Sequence, residues 1–286
     1  MKIILSRKGF DSGYGRVASP IFPDGSMLSL PIPATAGRPA QQLRFRDQTF
    51  GDLIADLTRE RLGAATLVHL DPDLEVSVLP RQPGWRPAFG QVGAAQSHLQ
   101  NQGVGEGDLF LFFGWFRHVD RVGATWLPVR GGDSIHSMFG WLQVDQVIDV
   151  NPLAPQQHPT WLHNHPHITH ANQFAGQQNT IYVGREQLEV NNGGRAISGG
   201  GTFSRWSIAL RLTAQGATRS VWSVPTWLEP SGGRRALTYH GNASRWSRRG
   251  EELLLASAAI GQEFVLDTDD YPEAVQWARV LIEAHS

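Results

Sequence analysis

The chain contains no cysteine. That absence excludes disulfides, thiolate nucleophiles and cysteine-held zinc, so any metal would have to be bound by His, Asp or Glu. Lysine is almost missing too: Lys2 and Lys8 are the only two, which leaves 23 of the 25 basic residues as arginine. A GC-rich gene accounts for such a skew without a site, although planar arginine forks also suit phosphate. Neither sign of charge dominates, with 25 basic against 26 acidic side chains. No long-range field therefore draws the molecule onto nucleic acid or an anionic membrane, and any such affinity is local. No apolar run reaches the roughly 18 to 20 residues that span a bilayer, and Met1–Ser6 is too short for a secretory h-region. The expectation is a cytoplasmic protein with no membrane partner.

What is present is 41% hydrophobic side chains over 286 residues, enough for a core. The pattern predicts an α+β fold with few helices, one mixed-sheet domain covering residues 1–286. KIILS reads as a buried strand that runs into the Gly-rich loop RKGFDSGYGR, and Asp24-Gly25 marks a tight turn. Phe50, Leu53, Ile54, Leu57 and Leu62 recur at helical spacing, which predicts a helix capped by Asp47 or Thr49 and stopped at Gly63. TLVHL predicts a core strand, and PRQPGWRPAFGQVG an irregular stretch without legible function. LFLFFGWF and MFGWLQVDQVIDV predict two paired strands. A His-rich loop from Gln157 to Asn172 follows, then the strand TIYVG and the Gly-rich NNGGRAISGGGTF. Ser204 to Val224 reads as a hairpin about Gln215-Gly216, with Trp206, Ile208, Leu210 and Leu212 on one face. EFVLD and a helix from Tyr271 to Ala284, with Pro272 in its first turn, close the chain.

Four groups of residues could carry chemistry. In LSRKGFDSGYG, Arg7 and Lys8 supply cations, the glycines allow close backbone approach, Ser12 offers a hydroxyl and Asp11 is a candidate base. The spacing is neither a Walker loop nor a dinucleotide fingerprint. In HPTWLHNHPHITH, an extended backbone would put His163, His165 and His167 on one face, a spacing suited to metal ligation or to acid–base work. In GQEFVLD, Gln262 and Glu263 stand at a strand start, with Tyr239 and His240 of LTYHGNASRW as neighbours from the same half. Nine arginines against one glutamate between Arg195 and Gly250 form a candidate anion-binding stretch. Ten tryptophans are present, and Trp115, Trp161, Trp206, Trp222, Trp227 and Trp246 lie beside Arg or His, so one of them could stack on a base.

At LSRKGFDSGYG, SPIFPDGSMLSLPIP, GDLFLFFGWFR, HNHPHITH, NTIYVG, VWSVPTWL and GQEFV, the chain resembles the nucleotide modification-associated domain 3 family, proposed to act in DNA base hypermodification. The resemblance runs from residue 2 to about 267. It implies a pocket shared by Arg7, Lys8, Asp11, Ser12, Arg117, His165, His167 and Glu263. GDLFLFF followed by MFGWLQVDQVIDV also looks like the core of PUA-like barrels, over about residues 95–150, with Val119 to Ser137 as an insertion.

These features together predict an enzyme that modifies a nucleobase or nucleotide, DNA before RNA. Asp11, His165, His167 and Glu263 would move protons, while Arg7, Lys8, Ser12, Arg117, His163, Tyr239, His240 and Gln262 hold the ligand. One alternative is a non-catalytic reader of modified bases. Another is a metal-dependent hydrolase or nuclease using His163, His165, His167 and Asp11 as ligands.

Overall fold

The computed structural model describes residues 1–151, 155–189 and 196–286. Arg195 and the start of the Gly-rich passage before Phe203 lie outside the described residues. Six strands carry the architecture: β1 Lys2–Arg7, β2 Ala88–Val92, β3 Leu109–Val122, β4 Ile135–Asp149, β5 Asn179–Gly184 and β6 Glu263–Asp267. They are hydrogen-bonded in the order β6-β1-β3-β4-β5-β2. Along this path β1 and β3 run parallel and every other pair is antiparallel. Three short antiparallel strands, Val221–Val224, Glu252–Ala256 and Trp246–Arg249, make a second sheet. The helices are α1 Phe50–Thr58, α2 Gly93–Asn101, the single turn α3 Pro166–Thr169, and α4 Glu273–His285. The expected α+β class with few helices is observed.

Strand composition explains the order. β1 and β3 lie inside the sheet because they are apolar on both faces: Ile3, Ile4, Leu109, Phe110, Leu111, Phe112 and Phe113 are all fully buried. Each such side chain contributes about 1.5–3 kcal/mol when taken from water. β4 is buried on both faces through Val144 and then opens to solvent. As expected, LFLFFGWF and MFGWLQVDQVIDV pair.

The path does not close into a barrel. β6 and β2 stand at its two ends, so the PUA-like barrel expected around residues 95–150 is not formed among the described residues. The stretch read as an insertion is instead a continuation of β3 that pairs with Thr125–Pro128 in a hairpin. Side chains bridge the open ends. From α2, His98 Nε2 lies 3.2 Å from Thr238 Oγ1, and Thr238 Oγ1 accepts from Val265 N of β6 at 2.8 Å. Gln91 of β2 reaches Glu263 of β6 directly.

Several local expectations are corrected. Thr49 caps α1 through a full capping box with Asp52, but the helix ends at Thr58, because Arg59 and Glu60 adopt left-handed φ of 54° and 62°. TLVHL yields only the two-residue strand Leu67–Val68. The stretch read as irregular holds β2 and leads straight into α2. Near Gln215-Gly216 the turn is present, with Gly216 at φ 71°. The first arm is not a strand, since Ile208–Leu210 is a 3-10 turn and Ile208 is exposed.

Candidate functional site

The register of β1 sets the first cluster. Ser6 pairs with Glu263 on one side and Phe112 on the other. Beyond the end of β1, Lys8 sends its Nζ to Glu263 Oε1 at 2.8 Å, with the ammonium 4.4 Å over the Phe89 ring. From the far end of the sheet, Gln91 Nε2 donates to the same Oε1 at 2.6 Å. Glu263 is 1% exposed. Its other oxygen, Oε2, and the Ser6 hydroxyl are both buried and take no hydrogen bond from the described residues. The carboxylate is thus held in one orientation by a cation and an amide, with a second acceptor uncommitted. His98 stands beside it. Burial lowers the His98 pKa, and the Glu263 charge opposes that shift. Tyr239 packs 4.8 Å from the His98 ring, is 43% exposed, and is held at φ 68° with its own ring against Gly261.

Arg7 belongs to the same corner but faces differently. Alternation along β1 sends it to the side opposite Ser6, where its guanidinium donates to the carbonyls of Gly261 at 2.5 Å and Ala259 at 3.2 Å. Burial lowers its pKa, against the charges of Asp11 and Glu263. Gln262 contributes its backbone oxygen to Arg7 N, and its side chain is exposed. His240 is fully buried between Thr238 O and Ala258 N, a structural role that needs the neutral ring, and burial lowers its pKa to about 4. Asp11 uses Oδ1 to accept from Gly13 N and Tyr14 N, which fixes its own turn, and Ser12 is exposed. Arg117 donates to Val129 O on the distal part of β3.

The histidines form a second cluster. The loop is not extended. Pro166 starts α3 and His165 is its N-cap, so His163, His165 and His167 do not share a strand face. His163 leaves the group and lies 3.0 Å from His158 O. His165 and His167 are buried and surround Asp71, which the sequence reading passed over, together with His69. Burial would raise the Asp71 carboxyl, but the imidazoles of His165, His167 and His69 overcome it and hold it well below the ordinary range. Asp71 Oδ1 also accepts Gly90 N of β2 at 2.8 Å.

β2 separates the two clusters. The side of Gly90 faces His167, so closely that a Cβ there would lie 2.3 Å from Cδ2, while the next residue, Gln91, faces Glu263. The single hollow expected from Arg7, His165 and Glu263 is therefore resolved into separate groups on different faces. The arginine-rich stretch is largely neutralised: Arg211, Arg234, Arg235, Arg248 and Arg249 are ion-paired to carboxylates, and Arg219 stacks 4.2 Å over Trp115. Trp222 is fully buried and donates to His136 Nδ1 at 3.0 Å. Gln91, His98, His69 and Asp71 were missed by sequence reasoning. The H-x-D spacing at residues 69–71 was the one signal that could have found the last two.

A family model described as nucleotide modification associated domain 3 matches residues 2–267. No curated protein and no solved structure matches the chain.

Proposed function

The chain belongs to the nucleotide modification associated domain 3 family and so has a role in nucleotide modification, and we propose that it is an enzyme acting on a nucleobase or nucleotide, with DNA preferred to RNA, through the Lys8–Glu263–Gln91 cluster. One observation carries this reading: Glu263 is buried and oriented through Oε1, while Oε2 takes no hydrogen bond from the described residues. A carboxylate fixed in that way can accept a proton, or the N–H edge of a base, at one defined oxygen. The Lys8 ammonium beside it would stabilise negative charge that develops on the ligand. Tyr239, exposed and packed against His98, offers a face on which a base can stack, worth on the order of 1–3 kcal/mol.

The test is mass spectrometry of nucleosides from DNA and from RNA incubated with the protein. Glu263→Gln keeps an oxygen for Lys8 and Gln91 and should still bind, while turnover falls by about 10²–10⁴. Binding by both forms with no altered nucleoside from either nucleic acid would overturn the enzymatic reading in favour of a reader of modified bases.

A further inference from the structure

We propose that His69, Asp71 and His167 form a binding site for one divalent first-row transition-metal ion, such as Zn²⁺ or Fe²⁺. A ligand atom from each of the three lies within 4.8 Å of the others. Asp71 Oδ2 is 3.4 Å from His167 Nε2 and 3.7 Å from His69 Nε2. Those separations exceed the roughly 2.7–2.9 Å of a charged hydrogen bond. They match donors arranged about a shared ion, since bonds of about 2.1 Å at a tetrahedral angle put ligand atoms about 3.4 Å apart.

The tautomers point the same way. Asn179 Nδ2 donates to His167 O at 3.0 Å, which fixes the amide with its Oδ1 toward the ring, 2.6 Å from His167 Nδ1. The Nδ1 of His167 therefore carries the proton. In the neutral ring its Nε2 turns a lone pair toward the Asp71 carboxylate, and a cation between them would take the place of the ring proton that otherwise holds that carboxyl low. A ligating histidine whose other nitrogen donates to a side-chain oxygen is the usual outer support of a metal site. His165 is different. Its Nδ1 accepts the His167 backbone N–H at 3.3 Å, so the neutral ring holds its proton on Nε2, facing Asp71 Oδ1 at 3.6 Å. His165 is therefore a positioning residue for the carboxylate and not a ligand.

Two imidazoles and one carboxylate favour a borderline transition ion over Mg²⁺ or Ca²⁺, and three protein ligands leave coordination positions for water or substrate. Phe174 packs on the site, stacked 4.9 Å from the His167 ring and edge-on to His69. A cleft of about 200 Å³ borders the same segments, lined by Arg38, Leu70, Asn164 and Pro166 among others. The inference does not depend on the reading of Glu263, because the probe is the metal alone.

The experiment loads the full-length chain with Zn²⁺, or with Fe²⁺ without oxygen, then desalts it and measures metal content. Co²⁺ absorption bands report the ligand field. One ion per chain is expected. His69→Gln and His167→Gln should weaken binding at least 100-fold, Asn179→Leu about 10- to 100-fold, and His163→Gln not at all. Should a ligand variant fail to fold, wild-type stoichiometry and the Co²⁺ spectrum still decide. Less than about 0.1 ion per wild-type chain, or folded His69→Gln and His167→Gln proteins that bind as wild type does, would overturn the assignment.

Discussion

Lys8→Met tests whether the Lys8–Glu263 pair is buried as described. The two side chains are 10% and 1% exposed and 2.8 Å apart. Removing one partner of such a pair strands a charge, which costs about 3–5 kcal/mol. Methionine returns part of that, about 1 kcal/mol, by resting its thioether on the Phe89 ring that the ammonium now covers. The expected net loss is therefore about 3 kcal/mol, because Glu263 would keep only the Gln91 amide. Adding Glu263→Leu to Lys8→Met removes the stranded carboxylate, so the double variant should be more stable than Lys8→Met alone, with a coupling energy of about 2 kcal/mol or more. Urea unfolding followed by far-ultraviolet circular dichroism measures all four corners of the cycle. A loss below about 1 kcal/mol in Lys8→Met, or strict additivity in the double variant, would refute the argument.

Two further predictions concern stability. His136 and His240 fold as neutral rings, with burial lowering their pKa values to about 3 and about 4. The unfolded chain takes up protons below about pH 6.5, so stability is lost as pH falls from there toward those values. Each histidine should cost roughly 2 kcal/mol at pH 5 relative to pH 7. Urea midpoints at the two pH values should show it, and a His136→Gln/His240→Gln variant with an unchanged pH slope would contradict it. Gly90→Ala would drive a methyl into the His167 ring, costing about 1–3 kcal/mol. Thermal unfolding within 1 °C of wild type would count against that contact.

Much of the sheet was legible because its strands are uninterrupted apolar runs: KIILS, LFLFF and EFVLD each became a strand where expected. The start of α1 was legible from Thr49, one of the two caps expected. Its end was not, because Arg59 and Glu60 terminate it with left-handed backbone that residue type does not announce. β2 was hidden by the prolines and glycines around it, and its alternation spans only five residues. The histidine loop was misread since Pro166 starts a helical turn where an extended segment was expected. Of the candidate site, the Lys8–Glu263 contact joins two motifs already singled out. Gln91 came from a segment whose patterning gave no reason to single it out, and Asp71 was marked only by its H-x-D spacing with His69.

Ala88–Val92 acts as a partition whose two sides are furnished by consecutive residues. Deleting one residue before Gly90 would move Gln91 into the place of Gly90, against the imidazoles, and Val92 into the place of Gln91, opposite the carboxylate, so the chemistry on both sides would fail in a single step. A substitution at Gly90 or Gln91 addresses one compartment, whereas any insertion or deletion in this strand disturbs both.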